Sequence, residues 1–323
     1  MRKQNQQLTQ SISDRFAALL ALTAAAAYDY GIRIIILAVT AAGVSLLAEY
    51  LMLRLRKKTF TLLNTDAAVS GLILLMLMPP TVPFSLLIMS CIFAIIIGRG
   101  LFGGMENPVI PSAAAGFCFA FLNQHDAVTA FPAEKIRLPL VIPDDFILRD
   151  DLSAFWNRAG KIDVSDYDLL TTVPAQPIGS ASLILLLVIA VVLMLRHSAS
   201  PWLIIPASVF SVTFHLAMSN MKTPLIYTAG CLLANQLLFA LIFLFGDPRL
   251  APPSIGGITA GLAAGISCAI SSRFWFISDA PVFLVIILSP AMLWIRTMMQ
   301  ELQSAGKPKG GIGSDESCKA APE

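Results

Sequence analysis

Residues 71–84 read GLILLMLMPPTVPF, and this stretch decides how the chain is read. An apolar run without a charge has to be buried in protein or lipid. Pro79, Pro80 and Pro83 stop its helix, because proline lacks an N–H to donate and pushes the residue before it toward extended backbone. The run so ended, 66–79, is shorter than the about 20 apolar residues a bilayer-spanning helix needs. A second stretch, GCLLANQLLFALIFLFGDPRLAPPS at 230–254, ends the same way at Pro248, Pro252 and Pro253. Broken helices at membrane depth leave backbone N–H and C=O groups unpaired, which is tolerated only inside protein or beside a water-filled cavity.

Composition identifies the solvent. Of 323 residues, 56% are hydrophobic and 13% charged, with a mean hydropathy of +0.76, too little polar surface to cover a globule in water. The chain reads as an all-α integral membrane protein with about ten spans at 15–29, 32–53, 66–79, 84–99, 110–123, 180–196, 201–219, 224–245, 254–271 and 278–298. The first has no small-residue cleavage site after a short apolar core, so it reads as a retained helix. Five cysteines without CxxC spacing argue against a disulfide framework or a self-contained metal site. A net charge of +2, with no basic face, argues against nucleic-acid binding.

Between the short spans, Arg2, Lys3, Arg54, Arg56, Lys57, Lys58, Arg99, Arg196, Arg249, Lys307, Lys309 and Lys319 fall on one side, which places both termini in the cytoplasm. The only long polar insert falls on the other side. The expected division is a first membrane repeat at 1–123, an extracytoplasmic insert at 124–179, a second repeat at 180–298 and a disordered cytoplasmic tail at 299–323. Five spans on each side of the insert make the halves an inverted repeat, with a Pro-broken third helix in each, meeting near the midplane.

Another break follows the fourth span, in GLFGGMENPVIPSAAAG at 100–116. Gly103 and Gly104 loosen the backbone, and Glu106 and Asn107 bring polar groups to membrane depth. The segment reads either as a lined pathway or as a helix-start loop with Asn107 as cap. Ionisable residues inside a membrane are costly and usually functional. Asp66 and Asp247, at the two broken third helices, are the leading candidates for lining an ion path, with Glu106 and Asn107 beside them; His215 and Asp279 are further ionisable candidates within the apolar spans.

Four segments carry a family resemblance: KKTFTLLNTDAAVSGLILLMLMPPTVP (57–83), LFGGMENPVIPSAAAGFCFAF (101–121), PIGSASLILLL (177–187) and LLFALIFLFGDPRLAPPSIGGITAG (237–261). The chain resembles the RnfD membrane proteins of the Rnf electron-transport complex and the related NqrB proteins of the sodium-pumping NADH:quinone reductase. The resemblance implies a ten-helix, urea-transporter-like inverted repeat in the bacterial inner membrane. It implies a place among the other subunits of an Rnf-type complex that moves Na+ or H+. It also implies an FMN esterified through its phosphate to a threonine outside the cytoplasm, with riboflavin or a second flavin elsewhere in the complex. The chain departs from the family pattern at Glu106, where a Gly is common, and at Ile110, where a second Asn is common.

The family's attachment pattern is an Asp, two free positions, Ser or Thr, two small residues and the acceptor Thr. Here the matching place is SDYDLLTTVPAQPIG at 165–179. Anchored on Asp166, the acceptor is Thr172, preceded by Thr171. Anchored on Asp168, Thr171 takes the Ser/Thr position and Pro174 replaces the acceptor. A solute channel or carrier, or a structural membrane subunit, on the same scaffold without flavin is the alternative function. No GxGxxG before a βαβ unit and no Walker loop is present, so electrons have to come from partner proteins.

Overall fold

A computed structural model describes residues 2–57, 59, 61–102, 108–132, 136–143, 146, 148–149, 176–180, 182–217, 236–252, 254–274 and 279–305. Helix α1 spans Arg2–Tyr30 and α2 Ile32–Leu55. A 3-10 turn at Leu62–Thr65 leads into α3, Asp66–Leu77. Helix α4, Phe84–Phe93, continues as a π-helix over Ala94–Arg99. Then come α5, Ser112–Asn123, and the short α6, His125–Thr129. A two-residue antiparallel ladder pairs Phe131–Pro132 with Leu148–Arg149. After a 3-10 turn at Ile178–Ser180 come α7, Leu183–Leu195, and α8, Pro201–Ala217. Helix α9, Leu237–Ala240, continues as a π-helix over Leu241–Phe245, followed by α10, Ser254–Phe274, and α11, Ala280–Ala305. Helix α11 thus runs past residue 299, where the tail was expected to begin.

Length sorts these helices. At about 1.5 Å per residue and a hydrocarbon core of about 30 Å, α2 (24 residues) and the apolar part of α11 (20 residues) are long enough to cross alone. The twelve residues of α3 reach only about 18 Å. All twelve are buried, as are all of Leu237–Phe245. These two short elements run in opposite directions. Asp66, at the start of α3, meets the turn that follows Phe245, while Met76 and Phe239 converge on Gly179, where an added Cβ would lie 2.8 Å and 2.7 Å from them.

Backbone carbonyls at and beside the breaks are met by protein donors, as burial in an apolar medium requires. Met78, before Pro79, is extended (φ −93°, ψ 159°), and its carbonyl accepts from Ile178 N at 3.1 Å. Buried Arg33 donates to the carbonyls of Pro80 (3.1 Å), Val82 (2.8 Å) and Pro139 (3.2 Å), and to that of Leu140. One guanidinium thereby ties the turn after α3 to the start of the insert. At the second break, the Gly246 carbonyl accepts from Ser200 N at 3.0 Å.

Helices α2 and α3 approach closely because residue 71 is glycine. A Cβ there would stand 2.6 Å from the Ala41 carbonyl and closer still to the Ser45 hydroxyl. Small residues at such crossings are how membrane helices pack without a hydrophobic driving force between them. Gly71→Val is expected to destabilise the chain by about 1–3 kcal/mol through overpacking. Gly43→Ala, where nothing lies within 4 Å, should stay within about 0.5 kcal/mol. Thermal unfolding of the two variants in detergent checks the contrast.

Candidate functional site

The two acids at the helix breaks are brought together by one guanidinium. Arg249 donates to Asp66 through Nη1 to Oδ2 (2.7 Å) and Nη2 to Oδ1 (3.3 Å). It also grips Asp247 through Nη2 to Oδ2 (2.8 Å) and Nε to Oδ1 (3.1 Å). The grip on Asp247 is local: Oδ1 also accepts the Arg249 backbone N–H at 2.8 Å, so the Asp-Pro-Arg turn folds on its own side chain. The grip on Asp66 spans 183 residues.

The chain of charges continues in both directions. Asp66 Oδ2 accepts from Arg99 Nη1 at 3.2 Å, and Arg99 Nε faces Glu49 Oε2 at 3.5 Å, an ion pair longer than a hydrogen bond. Glu49 Oε1 accepts from Asn64 at 2.9 Å. On the other side Asp247 Oδ2 accepts from Arg15 Nη1 at 2.9 Å, and Arg15 Nε donates to the Ser198 carbonyl at 3.2 Å. Asp14 beside it pairs with Arg196 at 2.8 Å. The two π-helices deliver Arg99 and the Asp247 turn to the same point, since each carries its last residues to the end where Asp66 begins α3. Single π-turns of this kind are frequent at functional sites.

Among the described residues of this cluster, three arginines face three carboxylates, and only the Arg249 side chain, at 15%, exceeds a tenth exposure. Burying charge is expensive, and the attraction repays it only with good geometry and further hydrogen bonds. Burial alone would push the Asp247 carboxyl up, but Arg15 and Arg249 outweigh it and hold the group well below the usual carboxylate range. Burial likewise opposes the Arg249 charge, and Asp247 and Asp66 raise its pKa well above the ordinary guanidinium value. Because the folded Asp247 value lies below the unfolded one, its contribution is present at neutral pH and is lost only as pH falls below the carboxylate range.

A cavity of about 40 Å³ lies beside the cluster, lined by Arg15, Asp66, Arg99, Asp247 and Arg249 with Ser70 and Ser112. Ile110, at one of the departures from the family pattern, lines it too, as do Pro108 and Pro111. Pro79 and Pro80 terminate α3, and Pro248 sits between the two charged residues of the second turn. His215 and Asp279 are buried elsewhere: the His215 ring contacts the Ser211 carbonyl at 2.8 Å, and Asp279 accepts from Gln236 at 2.5 Å. Gly103, Gly104, Glu106, Asn107, Asp166, Thr171 and Thr172 lie outside the described residues. Sequence reasoning missed Arg15, Glu49 and Asn64 and used Arg99 and Arg249 only as topology markers. An available signal was Glu49 itself, an acid within the apolar run of α2 that needs a cation somewhere in the fold.

Comparison with known proteins bears on the whole chain. Residues 2–303 match the NQR2, RnfD, RnfE family. The chain belongs to that family. Among curated relatives, it is 27% identical over 144 residues to the RnfD subunit of the ion-translocating oxidoreductase complex of Shewanella sediminis (strain HAW-EB3), covering 44% of this chain and 40% of that one. Proteins of the same name from Escherichia coli O1:K1 / APEC and Shigella boydii serotype 18 are 39% identical over 71 residues, 21% of this chain and 20% of theirs. The matched segments therefore span less than half the length of these relatives. Family membership makes the chain a membrane protein, in keeping with its apolar helices.

Removing the central cation should be worse than removing the whole link. Arg249→Gln leaves two arginines, Arg15 and Arg99, against the three buried carboxylates and should cost about 3–5 kcal/mol. Adding Asp66→Asn to that variant should recover a measurable part, because one uncompensated charge is gone. A double-mutant cycle on thermal stability in detergent measures the coupling, and strictly additive effects would mean that the Asp66–Arg249 contact contributes nothing.

Proposed function

We propose that the chain is a membrane subunit of an Rnf-type redox-driven ion-translocating complex. It is folded as two inverted five-helix repeats with both termini cytoplasmic, and Thr172 carries FMN through a phosphoester. The main support is the family match across residues 2–303, carried by a chain whose two Pro-broken helices are buried on all sides and meet at one cluster of charges. Arg56, Arg99, Arg196 and Arg249 gather at that same end, through Arg56 to the Gly100 carbonyl and through the ion pairs of the cluster. The positive-inside rule makes this end cytoplasmic.

In this reading Arg249 acts as a cation tethered between Asp66 and Asp247. A translocated Na+ or H+ uses those carboxylates only when the guanidinium has moved away, so the cluster is a closed gate in this conformation. Asp66→Asn and Asp247→Asn should lower ion transport by the complex while leaving membrane insertion intact. Unchanged transport in both would make the pair structural only.

The residues near the attachment segment suit a flavin. Gln176, four positions after Thr172, is fully buried, and among the described residues neither its amide nitrogen nor its oxygen has a partner. A donor and an acceptor side by side are what the polar edge of an isoalloxazine ring takes. FMN bound there supplies one- and two-electron transfer, and the protein supplies position and access. With a flavin transferase co-expressed, the denatured wild-type chain should fluoresce in a gel. Thr172→Val should abolish the signal, and Thr171→Val should weaken it at most. A wild-type chain without covalent flavin would leave a solute channel or structural subunit on this scaffold as the better reading.

Topology is tested separately. Cysteines introduced at Asp144 or Asp163 should react with an impermeant reagent from outside, and one at Lys57 should not. Labelling at Lys57 would overturn the orientation.

A further inference from the structure

Residues 136–143 read IRLPLVIP, and this strip of the insert turns apolar side chains outward. Ile136 and Leu140 are each 49% exposed and Val141 81%. Its backbone is prepared for an apolar medium. Pro139 has no N–H to satisfy, the Leu138 N–H donates to the Tyr30 carbonyl at 3.0 Å, and the carbonyls of Pro139 and Leu140 accept from Arg33. A loop facing water can leave such groups to water, whereas contact with lipid requires that protein meet them. The strip is also held at a fixed height. Buried Leu138 and the stem of Arg137 fasten it to the junction of α1 and α2, with the Arg137 Cβ and Cγ 3.6 Å from where a Cβ on Gly31 would stand. Helix α2 starts at the next residue, and its 24 residues reach about 36 Å, about 6 Å more than the hydrocarbon core. Its start therefore lies at the boundary between acyl chains and headgroups. Tyr28 and Ile32, both exposed, flank the junction there, and a tyrosine suits that level.

We infer that residues 136–141 form a lipid-binding surface, lying along the membrane at the acyl–headgroup boundary with Ile136, Leu140 and Val141 dipping into the leaflet. Arg137, exposed between them and the helix junction, offers its guanidinium to a lipid phosphate. The occupant is the bilayer and not a soluble protein, because the strip is fastened to the end of a spanning helix and its backbone acceptors are already taken. The contact needs only that α2 spans the membrane. It therefore holds for either orientation and stands apart from the flavin and the ion path. It also gives the leaflet a lever: Arg33 ties the same strip to the carbonyls of Pro80 and Val82, so lipid that grips residues 136–141 grips the turn after α3.

The test uses the full purified chain in lipid nanodiscs, with its five native cysteines replaced by alanine. One fluorescent dye is attached through Val141→Cys, through Ile136→Cys or, as a water-facing control, through Asp126→Cys, whose native side chain is fully exposed. A nitroxide high on the lipid acyl chain should quench the dye at 141 and 136 severalfold more than a nitroxide at the chain end does. Iodide in the buffer should quench both positions severalfold less than position 126. Two positions are used so that a folding failure in one variant leaves the other to decide. Iodide quenching at 141 and 136 equal to that at 126 overturns the surface, because the strip then faces water. Protection from iodide and from both nitroxides overturns it as well, because protein then covers the strip. Equal quenching by the two nitroxides would put the strip in the hydrocarbon core and overturn its place at the boundary. Anionic lipid should strengthen the protection from iodide, and a gain that survives Arg137→Gln would remove the arginine from the surface.

Discussion

A single guanidinium holds two carboxylates that begin and end the two broken helices of this fold, and the rest of the membrane core is arranged around that constraint. Neither α3 nor the Leu237–Phe245 element is long enough to cross a bilayer alone. Each must therefore end inside the protein, with its unpaired backbone groups and charges met there. At one end this falls to Arg33, which donates to the carbonyls of Pro80 and Val82 in the turn after α3. At the other it falls to the Arg15–Asp247–Arg249–Asp66–Arg99–Glu49 chain. The two ends differ in kind. One is an arginine among neutral carbonyls, the other a nearly compensated ionic array.

That array explains why charge can sit so deep. Each carboxylate is gripped by at least one arginine, and Asp66 and Asp247 by two each. Replacing such a network with apolar groups is often neutral for stability, so its presence is better explained by switching than by holding. A bistable arrangement needs partners that can be exchanged, and a guanidinium shared between two acids offers that exchange.

Much of the scaffold was legible in the sequence. Pro79 and Pro80 mark the end of α3 because the chemistry of proline is local, and Gly71 sits where α2 and α3 come closest. The helical breaks at 94–99 and 241–245 were invisible for a simple reason. AIIIGR and LIFLF are too uniformly apolar for any periodicity to separate a π-turn from an α-turn. The ionic array was hidden differently. Asp66 and Asp247 stood out as isolated acids, but the arginines that tie them to the other half of the chain lie 183 and 232 residues away, and no local pattern encodes such a pairing. The family resemblance located the segments without revealing which arginine each acid would meet.

The separation of Arg15 from Asp247 has a consequence for how the protein is made. Arg15 belongs to α1, among the first helices to enter the bilayer, and its carboxylate is synthesised 232 residues later. At about 5–20 residues per second, the arginine waits about 10–50 s for its partner. During that interval its long side chain can keep the charge at the lipid headgroups, as arginines near helix ends do. The array cannot close until residue 249 has been made. Nascent chains cut short before residue 247 would carry an arginine without its acid, a mark by which a membrane protease could tell an unfinished chain from a finished one.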